Sequence, residues 1–79
     1  MERNVQLDWQ GLVREAIRRR KENKLSQKHL AAIAGVNHLG VIKFEKMQEN
    51  LELKTAFAIL RVLGLLKPSP AGGRVVTFN

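Results

Sequence analysis

The chain has no cysteine, which removes disulfide frameworks and thiolate metal sites together. No apolar run approaches the ~18 residues of a membrane span. The opening residues, MERNVQL, are polar and charged, which argues against a secretory signal, so a cytoplasmic protein is expected. Histidine occurs only at His29 and His38, and aspartate only at Asp8. Neither histidine has a carboxylate four residues away, and no nucleophile–base pair forms at local spacing. Gly72-Gly73 precedes no helix able to present N–H groups to a phosphate, so a P-loop reading fails. Neither catalysis, nor a metal, nor a cofactor is expected. At 79 residues there is room for one small domain, and such domains bury only about 60% of their unfolded surface. A stabilising partner is therefore plausible.

Acidic residues are also scarce. The formal charge is +7 and the pI near 10.6, a balance that favours a polyanionic partner. Arg14, Arg18, Arg19, Arg20, Lys21, Lys24, Lys28, Lys43 and Lys46 stand against only Glu15, Glu22 and Glu45. A membrane-surface helix and plain solubility charge are the competing readings.

What occupies that basic stretch favours nucleic acid. Asp8 is a good N-cap, followed by Trp9, Leu12, Val13, Ala16 and Ile17 at helical spacing, which predicts a first helix over 9–23. Arg20 continues the Val13–Ile17 row to the margin of the buried stripe. Leu25 is expected in the core. Ser26 caps a second helix over 27–34, and Asn37 caps a third over 38–46. Gly35 between them suits a corner with positive φ. Leu30, Ala31, Ala34, Val36, Val41 and Phe44 fall where two short helices crossing steeply would touch. That is the layout of a helix-turn-helix, whose second helix enters the major groove. Leu53, Ala56, Phe57, Leu60 and Leu63 form the apolar stripe of a last helix ending at Gly64.

The expected fold is all-α, a small four-helix domain with room for a fifth. It divides into a flexible arm (1–7), the helix-turn-helix domain (8–66), and a Pro/Gly linker with a short β-prone segment (67–79). Arg74 to Phe78 is either disordered or pairs with the same strand of a second subunit. Gln27 opens the second helix, where its side chain and N–H suit a DNA phosphate. Lys28, Lys46, Arg19 and Lys24 are further phosphate candidates, with Arg18 and Lys43 behind them. An ion pair between semi-buried Arg20 and Glu45 would lock the first helix onto the motif.

Residues from about Leu12 to Leu65 resemble the Cro/repressor (Xre-type) helix-turn-helix family, whose fold is lambda-repressor-like. The resemblance is carried by Arg20, Leu25-Ser26-Gln27, Leu30-Ala31, Gly35-Val36, Val41, Phe44-Glu45 and the Leu53–Leu63 helix. It implies a phosphate contact from Gln27, a structural salt bridge between Arg20 and Glu45, and base reading from His38, Leu39, Ile42 and Lys43. The stretch FEKMQENLELKTAFAIL is most similar to HipB-like antitoxins, which end in a strand paired across a dimer. Such a protein would be bacterial or phage-borne and work at the nucleoid.

The sequence departs from the family in three places. Met47 stands where Gly is frequent, the usual Pro before the last helix is missing, and the reading positions Leu39 and Ile42 are apolar with Gly40 between them. Three accounts of HLGVIKFE follow. His38 and Lys43 read bases while Leu39 or Ile42 packs on thymine methyls, Gly40 allowing close approach to the DNA backbone. Alternatively Leu39 and Ile42 bind protein, or Ile42 is covered by the domain itself. The basic field favours the first. The implied function is a homodimeric repressor on a palindromic operator. The other readings are an autorepressing antitoxin that also binds a toxin, and a protein-interaction module.

Overall fold

A computed structural model describes residues 8–66. The arm expected over 1–7, and the linker and strand expected over 67–79, lie outside the described residues. Four α-helices follow in order: α1 Trp9–Glu22, α2 Gln27–Ala34, α3 His38–Glu45 and α4 Leu53–Val62. Three of them start on a short polar side chain that accepts from an otherwise unpaired N–H. Asp8 takes the N–H of Gly11, Ser26 that of His29 and Asn37 that of Leu39. α4 starts at Glu52 without such a bond.

All four helices stop in the same way. A left-handed residue follows each, with φ of 59° at Lys24, 73° at Gly35, 57° at Met47 and 77° at Gly64. That residue's N–H bonds the carbonyl three residues back, and the next N–H reaches five back. In α1 these bonds are Lys24 to Lys21 and Leu25 to Arg20; in α3 they are Met47 to Phe44 and Gln48 to Lys43. This pattern, the Schellman motif, satisfies carbonyls that the helix end would leave open. It also turns the chain sharply, so four short helices can fold back on one another. The turn after α3 thus keeps its left-handed residue although Met47 stands where glycine is frequent. α1 and α3 each end one residue earlier than the spacing predicts, because Asn23 and Lys46 already sit near ψ 0°.

The core gathers Val13 and Ala16 of α1, Leu30 and Ala31 of α2, Val41 and Phe44 of α3, and Ala56, Ile59 and Leu60 of α4, closed by Leu63. Trp9 meets Phe44 edge to face, ring centroids 5.7 Å apart. Such a contact adds about 0.5–1.5 kcal/mol beyond its buried area. The apolar stripe read for α4 needs correction. Ile59 is fully buried, whereas Leu53 and Phe57 are exposed. α4 packs on α2 and α3 through the face of Ala56, Ile59 and Leu60, which leaves Leu53 and Phe57 on its flank.

Candidate nucleic-acid interface

The helix-turn-helix is fastened at the seam between α1, α2 and α3. Arg20 and Glu45 are nearly buried, with 12% and 9% of their side chains exposed. Arg20 Nε donates to Glu45 Oε2 at 2.6 Å and its Nη2 to Oε1 at 3.2 Å. The remaining guanidinium nitrogen, Nη1, donates to the Leu25 carbonyl at 2.8 Å. Gln27, the first residue of α2, donates its side-chain amide to the same Glu45 Oε1 at 2.9 Å. One carboxylate thus holds the end of α1 and the start of α2 against the last turn of α3. With the fork-shaped guanidinium matched to both oxygens, the geometry is of the strong, charge-assisted kind. It also draws the Gln27 side-chain amide inward, leaving its backbone N–H at the positive end of α2.

α3 has two sides. Val41 and Phe44 point into the core. At about 100° per residue, Leu39 and Lys46 point the opposite way, flanked by Ile42 and Lys43. Leu39 is 54% exposed; His38 and Lys46 are exposed, and Ile42 and Lys43 half-buried. Leu39, Ile42, Lys43 and Lys46 therefore share one outward surface, with His38 at its edge where the helix begins. Beside it lies a hollow of about 320 Å³ lined by Leu39, Gly40, Lys43, Asn50 and Thr55 among others.

Gly40 lies on the flank of α3 that meets α4. A Cβ built there would lie 3.0 Å from Thr55 Cγ2. The missing side chain lets α3 sit close against α4. That close approach gives a packing reason for a helix-interior glycine that costs about 1 kcal/mol in propensity.

The cations around the motif divide into committed and open ones. Arg19 turns inward: its Nε donates to Glu15 at 2.9 Å and its Nη1 to the Leu63 carbonyl at the end of α4, also at 2.9 Å. It ties α1 to α4, so its guanidinium is engaged within the fold instead of lying open for a phosphate. Arg18 pairs with Glu15 at 2.7 Å and Glu22 at 3.3 Å. Hydrogen bonds from Arg18, and then Arg19, hold the Glu15 carboxyl down at about 2, and the same contact pushes Arg18 up. Lys24, Lys28 and Lys46 are exposed and take part in no ion pair among the described residues. Lys24 and Lys28 bracket the N-terminus of α2.

Asn50, read from sequence as mere connection, lies in the hollow next to Leu39 and Lys43. Only its polar type in the α3–α4 loop hinted at this. Among the described residues no group of three His, Asp or Glu could hold a metal. No described helix is long and apolar enough to cross a membrane.

Against known families, the model described as "Helix-turn-helix" matches residues 17–69, well over half of the chain. The match takes in α2 and α3 whole and the seam that joins them to α1. No curated protein matches the chain.

Proposed function

This chain belongs to the Cro/C1-type (Xre) helix-turn-helix family, which binds DNA and is not enzymatic; from that premise we propose a homodimeric transcriptional repressor on a palindromic operator. The observation that carries the reading is the outward surface of α3, held in place by the Arg20–Glu45–Gln27 seam, together with exposed Lys24, Lys28 and Lys46, which take part in no ion pair among the described residues. In this reading α3 of each subunit enters one of two major grooves about 34 Å apart. His38 and Lys43 supply polar base contacts, while Leu39 and Ile42 pack on thymine methyls. Gln27, through its backbone N–H, and the three lysines contact phosphates. The work would be done in the bacterial cytoplasm, at the nucleoid, by a protein of bacterial or phage origin. The test is binding to duplex from the chain's own upstream region as salt rises. Log K should fall with log [salt] at about −0.9 per phosphate neutralised, and binding indifferent to salt would overturn the proposal.

The exposure of Leu39 supports a second reading, in which the protein is a HipB-like antitoxin whose apolar patch or tail also engages a toxin. Co-purification with the product of an adjacent gene would favour it. Retention of that product after Leu39→Asp would exclude Leu39 as the contact, and no shift of any duplex at low salt would leave a protein-interaction module.

A further inference from the structure

We infer that the edge of α1 carrying Arg14 and Lys21 is a second phosphate track, gripping DNA backbone beyond the base pairs that α3 reaches. This rests on the DNA-binding reading above and extends its contact surface.

Ion pairing on α1 is one-sided. Glu15 holds Arg18 and Arg19, Glu22 takes a second contact from Arg18, and Glu45 holds Arg20. Arg14, Lys21, Lys24 and Lys28 are all exposed and make no ion pair among the described residues. Charge kept only for solvation would be interspersed with acids. Here the acids of α1 are taken up by other cations, and one edge stays purely positive.

Along the chain, that edge leads to the start of α2. Arg14 and Lys21 are seven residues apart, so they point the same way to within about 20° and lie about 10 Å apart along the axis. Arg19 points to the far side, where it reaches the end of α4. From Lys21 the strip turns the corner: the Lys24 N–H bonds the Lys21 carbonyl at 2.9 Å, and Lys28 follows in the first turn of α2. Phosphates of one DNA strand succeed each other about every 3.4 Å along the duplex axis. A strip that runs about 10 Å along α1 from Lys21 to Arg14 therefore has reach for further phosphates outside the recognised bases.

The test compares two duplexes carrying the same selected site, one trimmed to its ends and one extended by random sequence of about one helical turn, roughly 10 base pairs, on each side. Arg14→Ala and Lys21→Ala should each lower the salt slope by about 0.9 on the extended duplex. On the trimmed duplex both should match the wild type. The preferred site should not change, and exposed positions leave the thermal melt in place. An unchanged slope on the extended duplex, or an equal loss on both, would overturn the inference while DNA binding stands. A wild-type chain that binds neither duplex would overturn the functional reading and this track with it.

Discussion

Glu45 receives Arg20 through both carboxylate oxygens, Nε at 2.6 Å and Nη2 at 3.2 Å, with about a tenth of each side chain exposed. The pair joins segments 25 residues apart. Because Gln27 shares the same carboxylate, it sets where α2 begins relative to α3, and so where the outward surface of α3 points.

Breaking the pair on one side strands a nearly buried charge. Arg20→Ala or Glu45→Ala should each destabilise the fold by about 3–5 kcal/mol in urea unfolding. Arg20→Met with Glu45→Leu should cost clearly less than the sum of the two single changes, since neither charge is then left alone. Additive losses would mean the two side chains act independently.

Gly40 is explained by its neighbour. Gly40→Ala should gain little or lose stability in the wild type, where the new methyl meets Thr55 Cγ2 at 3.0 Å. In a Thr55→Ser background that atom is gone. The same substitution should then deliver the helix-propensity gain of about 1 kcal/mol. Equal effects in both backgrounds would show that the α3–α4 approach does not require glycine.

The left-handed turns separate backbone strain from packing. A methyl at Gly35 would meet nothing within 4 Å, yet Gly35→Ala should destabilise by about 1–2 kcal/mol, because φ is 73° there. Met47, at φ 57°, should respond in reverse. Met47→Gly relieves that strain against a smaller entropic cost and should stabilise by up to about 1 kcal/mol. Chemical denaturation of both variants checks the signs.

What the residues disclose in advance follows the range of the physics. Asp8, Ser26 and Asn37 act on N–H groups two or three residues away, so their capping role is written in the local sequence. Gly35 and Gly64 mark left-handed turns by their type. Lys24 and Met47 do the same job unmarked, because nothing in a lysine or methionine side chain signals positive φ. Periodicity finds α4 but misplaces its face: Phe57 and Ile59 both fit an apolar stripe, and only the position of α2 and α3 buries Ile59 and leaves Phe57 out. The same limit applies to the site. The basic stretch is plain from composition, whereas the inward turn of Arg19 depends on Leu63, 44 residues away.

Acid should erode the fold partly through Glu15. Its carboxyl is held at about 2 by Arg18 and Arg19, below the ordinary glutamate range. A depressed acid stabilises the native state at pH values above its unfolded pKa, and that contribution disappears as pH falls towards the folded value. Glu15→Gln should therefore flatten the stability curve between the ordinary glutamate range and about pH 2, leaving its shape near neutrality unaltered. A wild-type acid limb retained in the variant would assign that limb to other carboxyls.

The central claim is that the outward surface of α3 reads duplex DNA from a two-fold symmetric assembly. Selecting bound sites from random duplex at low salt tests it most directly. The account predicts enrichment of one palindrome whose half-sites lie about 34 Å apart, one helical turn or about 10 base pairs, and its loss with Lys43→Ala and His38→Ala. A pool that stays random after repeated rounds with folded wild-type protein would contradict it.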